Sequence, residues 1–471
     1  MPGGSALRDA ALVGVTRALV TLACWWSGFR AISDDDYSRV VIAARFAHVP
    51  SLDPSGTSWL PLPFWLYGVP MTVLGDSLTV ARGVALVLGV ASAVLVWAAA
   101  RMLGLLPREA LVAGVAAALL PYGAWLSAAT VPEAPTAALV LFGVVCLARR
   151  EARLRTWGGL ALGAACFCRY EAWAPAIAFA LCTGWQAVRA RRHELWPAAA
   201  LATAPIALWL LHGVFRHDSA LFFVTRVTQY RAALGGQTSG WLDALVEVPW
   251  ALVRFEPELF AVGLAALGFS LGKARWPFTR DALGPALALL ALLLFLIVAQ
   301  ARGGSATHHP ERSLLPVFWF VALVVVGLLG KLAHEPARAW RLPLVALPLS
   351  LAASLLLRPA VRETFANRSE EELLGGLLRG LGAEQVALDT DDFGFFAVQA
   401  ALGHGKSWPL ADLDPRKAPV TRATTTTDLA ERLRRENARW LVTTRARQPL
   451  AAPLGVTRAA TTRLALLELH R

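Results

Sequence analysis

The sequence predicts an α-helical polytopic membrane protein with a small α/β region at its C-terminal end. Three observations predict this. The 471 residues are 56% hydrophobic and only 17% charged, where soluble domains carry about 25% charged residues. Apolar stretches long enough for a bilayer recur between residues 10 and 357. Past residue 358 the pattern changes to short alternating strand and helix segments. The chain therefore divides into a transmembrane domain, 1–357, and an α/β domain, 358–471. A net charge of +12 does not point to nucleic acid here, because arginines collect in the cytoplasmic loops of membrane proteins. Eighteen tryptophans suit interfacial anchoring.

The first apolar segment, 10–29, is too long for a signal-peptide core, and no A-x-A cleavage site follows it. It reads as an uncleaved first span with its N-terminus in the cytoplasm. Asp34, Asp35 and Asp36 follow directly. From Tyr37 the apolar positions Val40, Val41 and Ala44 suggest a short helix along the membrane surface. The stretch SLDPSGTSWLP breaks any regular element. Residues 61–75 read as a second surface or re-entrant helix. Further spans are expected at 79–104, 107–127, 131–148, 157–170, 172–188, 196–215, 243–270, 283–301, 313–332 and 341–357, making eleven with the first. The five cysteines all lie in apolar segments and read as small packing residues.

The loop charges fix a topology. Arg101 and Arg108, Arg149 to Arg155, Arg189 to Arg192, Lys273 to Arg280, and Lys331 to Arg341 belong to one set of loops. That set is almost purely basic, as cytoplasmic loops are. The acidic cluster, Glu133, the Arg169–Glu171 turn, the 216–242 loop, His308 to Arg312 and the tail then lie on the outer face of a plasma membrane. In the tail, SEEELLGGLLRGLG, FGFFAVQAALG and TDLAERLRRENA read as helices. EQVALD, ARWLVTTR and RLALLEL read as strands. No glycine-rich phosphate loop appears. The DTDD turn (Asp389, Asp391, Asp392) reads as a strand-to-helix turn with a capping Asp.

The outer loops carry the candidates for chemistry. Three adjacent carboxylates raise one another's energy, and binding a proton or a cation relieves it. They also suit a helix N-terminus, for which one Asp suffices. Glu133 follows Pro132 and either starts a helix or lines a cavity. Arg169 and Glu171 either pair with each other or face a substrate. His308, His309, Glu311 and Arg312 fall within five residues, more than an interface anchor requires. His217 and Asp218 read as solvated. Acids from the first loop and bases from the late loop, converging on one cavity, would supply a general base and a phosphate-binding pair.

SDDDYSRVV, the Trp-Pro stretch, DSLTVARGVALVLGVASAVLVWAAARMLG, SAATVPE, CRYEAW and HHPERSLLP together resemble the integral-membrane GT-C glycosyltransferases. The resemblance is to the branch of aminoarabinose transferases, protein O-mannosyltransferases and RgtA/B/C/D-like domains, and covers about residues 10–357. The late loop is also loosely similar to the His-x-Glu-x-Arg-Phe pattern of eukaryotic α-mannosyltransferases, with Pro310 intervening and Ser313 replacing the aromatic. The resemblance implies a multipass transferase. Its donor would be a polyprenyl-phosphate sugar, and its acceptor a lipid, glycan or protein on the outer face. Asp34, Asp35 and Tyr37 map onto the family's Asp-(Asp/Glu)-x-Tyr, which makes Asp34 the first choice of general base, with Asp35 and Asp36 close in register. Arg312, with His308 or His309, would hold the leaving phosphate. Some members use a divalent cation (Mg or Mn). The rival reading is a polytopic transporter or lipid flippase with an outward-facing acidic site. Transporters place ionisable groups near the midplane on broken helices, often with repeats, whereas here the acids sit at a loop edge.

Overall fold

The computed structural model describes residues 4–235, 240–272, 280–303, 310–333, 341–357, 365–416 and 422–470. Its N-terminal part is helical throughout. Helices α1 (Gly4–Trp26), α2 (Asp34–His48), α3 (Leu62–Leu74), α4 (Leu78–Met102), α5 (Pro107–Leu119), α6 (Pro121–Ala128) and α7 (Glu133–Val145) come first. Then follow α8 (Ala152–Cys166), α9 (Trp173–Arg189), α10 (Trp196–His217), α11 (Phe222–Ala233), α12 (Trp241–Phe255), α13 (Pro257–Gly272), α14 (Arg280–Ala301), α15 (Pro310–Ser313), α16 (Leu315–Ala333) and α17 (Arg341–Leu357). Among the described residues, four helices are long and apolar enough to cross a membrane: Leu78–Met102, His193–His217, Asp281–Ala301 and Leu315–Leu332. The pair α5 and α6, bent by 67°, makes a fifth if taken as one broken span.

Proline explains where expected spans break. Pro121 offers no N–H and forces Leu120 before it to φ −52°, ψ 118°, so 107–127 divides into α5 and α6. Pro257 does the same to Glu256, at φ −135°, ψ 58°, and the expected span 243–270 is two helices. The expected 216–242 loop holds a helix, α11, whose Phe222 and Phe223 pack into a small aromatic cluster with Trp209.

The short α8 is closely packed. It lies between α7 and α10 and presents glycines to both. A Cβ on Gly159 would sit on the Ala198 carbonyl of α10, and one on Gly158 would press on Cys146. Fifteen residues are short for a crossing, but a helix wedged this closely between neighbours gains its stability from packing.

The C-terminal region holds a five-stranded sheet with strands β1 (Val386–Asp389), β2 (Ser407–Pro409), β3 (Trp440–Thr444), β4 (Gly455–Ala460) and β5 (Leu464–Leu469), in the order β2-β1-β3-β5-β4. β1 is parallel to β2 and β3, and β5 is antiparallel to β3 and β4. Helices α18 (Ser369–Gly380), α19 (Phe395–Leu402), α20 (Thr426–Arg435) and α21 (Gln448–Ala451) complete it. Leu374, Leu378 and Val398 cover one face of the sheet, and Leu429, Leu433 and Ala451 the other. The expected helices and strands of the tail are present, with β2 and β4 added. Helix α19 also packs against α2, where Ala397 and Ala400 share one apolar cluster with Tyr37, Val40 and Ala44.

Candidate active site

The three acids at the start of α2 have three different fates. Ser33 stands at the helix N-terminus in extended backbone. Asp36 is buried, and its Oδ2 accepts from the backbone N–H groups of Ile32 and Ser33, both at 3.2 Å. Its Oδ1 accepts from the Thr130 N–H at 3.0 Å. Burial pushes the carboxyl up to about 6, against the pull of these N–H donors and of Arg312. Asp36 thus ties the first turn of α2 to the turn before α7. Asp34 is held by Arg368 in a two-pronged pair, with Nε to Oδ1 at 2.7 Å and Nη2 to Oδ2 at 2.8 Å. Asp35 is the exposed member. The charges of Arg39, Arg169 and Tyr230 are coupled to it.

A second group of charges lies in the wall of a small cavity lined by Glu133, Arg169, Glu171, Arg312 and Ser313. Arg169 donates to Glu133 at 2.7 Å and to Glu171 at 2.7 Å. Ser313 donates to Glu171 at 2.7 Å. Burial pulls the Glu171 carboxyl up, but Arg169 outweighs it and the net shift is downward. Arg169 and Glu171 therefore pair with each other, and the pair lines this cavity. Arg312 is buried and its Nη1 donates to Ser33 Oγ at 3.3 Å, which joins the late loop to the first. Two buried polar atoms here, Glu133 Oε2 and Arg312 Nε, have no partner among the described residues. Buried groups of this kind are normally satisfied.

The remaining candidates fall at the margins. Glu311 is buried beside the Tyr122 hydroxyl, at 3.5 Å. Tyr37 donates to Glu372 at 2.6 Å and so faces the C-terminal region. His308 and His309 lie outside the described residues. Arg39 was not singled out from the sequence. It lies across Trp59, 4.4 Å from the ring centre, and its buried Nε is unpartnered among the described residues. The signal was its spacing, four residues after Asp35 and so on the same helix face.

The acids do not fit a Mg²⁺ or Mn²⁺ cage of open oxygens. Asp34 and Asp36 are engaged, and the Arg169 guanidinium occupies the place between Glu133 and Glu171 where a cation would lie. Asp53, His212 and His217 are the described residues that offer a metal-binding group, with ligand atoms within 4.8 Å of one another. Two imidazoles and a carboxylate suit zinc better than magnesium. His217 therefore is not a solvated loop residue: it stacks on Phe222, with ring centres 4.0 Å apart.

The arrangement can be set beside known proteins. Residues 54–212, less than half of the chain, match the family model of dolichyl-phosphate-mannose-protein mannosyltransferases. The crystal structure of ArnT from Cupriavidus metallidurans bound to undecaprenyl phosphate superposes with a TM-score of 0.61 at 14% identity, covering 99% of this chain and 98% of that one. Its apo state gives the same score and identity over 96% and 97%. The chain has the GT-C glycosyltransferase fold. The archaeal oligosaccharyltransferase AglB from Archaeoglobus fulgidus overlaps at a TM-score of 0.49 and 13% identity, too little to extend the comparison. No curated protein sequence matches significantly. The GT-C fold covers both the helical part and the C-terminal sheet, since nearly the whole of each chain superposes.

Proposed function

We propose that this protein is a membrane glycosyltransferase that moves a sugar from a polyprenyl-phosphate donor to a hydroxyl-bearing lipid, glycan or protein. The observation that carries the reading is the convergence of Arg312 with the first-loop acids, through the 3.3 Å bond to Ser33 Oγ, beside a cavity with unpaired buried polar atoms. The fold adds support, because the ArnT structure that shares it holds undecaprenyl phosphate.

Asp35 is the general base in this reading, because Asp34 and Asp36 are already engaged. It takes the proton of the acceptor hydroxyl. The acceptor oxygen bonds to the anomeric carbon, and the bond from that carbon to the donor phosphate oxygen breaks. The polyprenyl phosphate leaves with the electron pair. Arg312, with Arg39 on α2, receives the charge that develops on it, as a guanidinium fork does for phosphate. No step passes through a metal.

In this reading the basic loops are cytoplasmic, and the site lies on the outer face of a plasma membrane. Two of them meet, with Arg149 Nη2 donating to the Arg101 carbonyl at 3.0 Å. Nucleotide sugars are not expected on that face. A donor anchored in the bilayer meets the need, since each buried CH₂ of its chain adds about 0.8 kcal/mol of membrane affinity.

The test is release of polyprenyl phosphate from a panel of polyprenyl-phosphate sugars by purified protein, with wild type beside Asp35→Asn and Asp34→Asn. Release by wild type, lost in Asp35→Asn and retained in part by Asp34→Asn, is the expected result. Full release by Asp35→Asn moves the base elsewhere. Vectorial movement of the donor without cleavage assigns the chain to transport.

A further inference from the structure

The C-terminal region reaches into the first-loop cluster rather than standing beside it. Arg368 lies just ahead of α18, is 9% exposed, and uses three nitrogens at once. Nε and Nη2 take the two oxygens of Asp34. Nη1 donates to Asp392 at 2.8 Å and Glu371 at 3.2 Å. Glu371 is in turn held by Arg463 at 2.9 Å, ahead of β5. Next along α18, Glu372 accepts from Tyr37 at 2.6 Å and from Arg82 at 2.5 Å. A chain of charge-assisted bonds thus runs from the sheet, through α18, to the first two turns of α2.

We propose that Arg368 is a positioning residue for transfer: it neutralises Asp34 and fixes the start of α2, so that Asp35 alone among the three acids meets the acceptor. This rests on the glycosyltransferase reading above. The physical argument is one of adjacency. Three consecutive carboxylates destabilise one another's charged forms. A two-pronged guanidinium on Asp34 removes the nearest like charge from Asp35. The fork also fixes direction, because both Asp34 oxygens are held and the turn cannot rotate without breaking two bonds. Asp36 is fixed on the other flank by backbone N–H groups. Among the described residues, Arg39, Arg169 and Tyr230 are charged and titratable groups coupled to Asp35, which lies between Asp34 and Asp36 on its own helix. Asp392 and Glu371 belong to the C-terminal region, so that region sets the geometry of a carboxylate on α2.

The experiment uses the full chain: wild type, Arg368→Lys, Arg368→Gln, Asp34→Asn and the Arg368→Gln/Asp34→Asn double variant. The first readout is the pH profile of kcat/KM for polyprenyl phosphate release. Arg368→Gln is expected to lower kcat by at least about tenfold with little change in donor KM, as small misplacements of a reacting group do. It is also expected to move the acid limb to higher pH, because the Asp34 charge is then uncompensated beside Asp35. Asp34→Asn should move that limb to lower pH. The double variant should return it and lose no more rate than Arg368→Gln alone, and Arg368→Lys should recover part of kcat. An unmoved limb in Arg368→Gln, or additive losses in the double variant, overturns the proposal. The second readout needs no turnover: amide hydrogen exchange over residues 32–40, expected to quicken in Arg368→Gln. If wild type releases no polyprenyl phosphate, the transferase reading fails by itself. Unchanged exchange then overturns the anchoring role as well.

Discussion

Arg169 and Glu133 face each other at 2.7 Å in the wall of the cavity, with the Glu133 side chain 3% exposed and that of Arg169 12% exposed. The same guanidinium holds Glu171. One cation therefore balances two buried carboxylates. Removing one partner of a buried pair leaves an uncompensated charge and costs about 3–5 kcal/mol. Arg169→Gln should lower the unfolding temperature in detergent sharply and abolish transfer. Arg169→Gln combined with Glu133→Gln and Glu171→Gln should recover most of the stability and none of the transfer. Equal unfolding temperatures for wild type and Arg169→Gln would show that the pair carries no such energy.

Much of this was legible in the sequence, and the limits have physical causes. The helix at Asp34, the helix at 61–75 and the strands and helices of the tail announce themselves in local sequence pattern. That the late loop meets the first was legible too, because Glu311 and Arg312 are charges without an interfacial purpose. The pairing of Arg368 with Asp34 was not, since it joins residues 334 apart and nothing local marks it. The preference for Asp34 over Asp35 as base came from the motif register, and the fork on Asp34 is what redirects the proposal to Asp35. The broken spans were within reach: Pro121 and Pro257 are visible breakers, but in long apolar stretches the hydropathy signal outweighs them. His308 and His309 lie outside the described residues.

Arg312 carries the phosphate side of the proposed chemistry. Its Nη1 is engaged with Ser33, while its buried Nε has no partner among the described residues. If charge develops on the leaving phosphate only as the glycosidic bond breaks, Arg312→Gln should lower kcat by roughly 10²–10³-fold, the size of effect seen on removing a donor from an oxyanion site. Donor KM should change little. Arg312→Lys keeps the charge and loses the fork, and should fall between. Initial-rate kinetics of polyprenyl phosphate release give both constants. A raised KM with unchanged kcat would make Arg312 a ground-state binding group instead.

Asp36 predicts a pH dependence of stability. Its folded pKa, about 6, lies above the ordinary value of 3.8, with burial as the main cause. The protonated form is therefore favoured in the fold. The stability it contributes is present in full below about pH 4 and is lost as pH rises through about 6, at most about 3 kcal/mol for a shift of this size. Wild type in detergent should lose unfolding free energy across that window, and Asp36→Asn should lack this component. Asp36→Asn should also be less stable at low pH by about 1–3 kcal/mol, because its amide N–H₂ would face backbone N–H donors. Identical pH slopes for the two proteins would contradict the buried, protonated state.

Gly159 tests the packing that lets a fifteen-residue helix hold its place in the bundle. A Cβ there would land on the Ala198 carbonyl, which is backbone of α10 and cannot swing aside. Gly159→Ala must push α8 and α10 apart, an overpacking that costs about 1–3 kcal/mol. Gly83 on α4 is the control, since a Cβ there meets nothing within 4 Å. Gly83→Ala should be neutral or stabilising by about 0.4–1 kcal/mol, through a stiffer unfolded chain and better helix propensity. Thermal unfolding of both variants in the same detergent separates the two effects. Because Arg169 and Glu171 follow directly on α8, Gly159→Ala should also lower transfer, even at temperatures where the variant is fully folded. A destabilised variant with full activity below its transition would show that the turn after α8 is held by its own ion pairs alone.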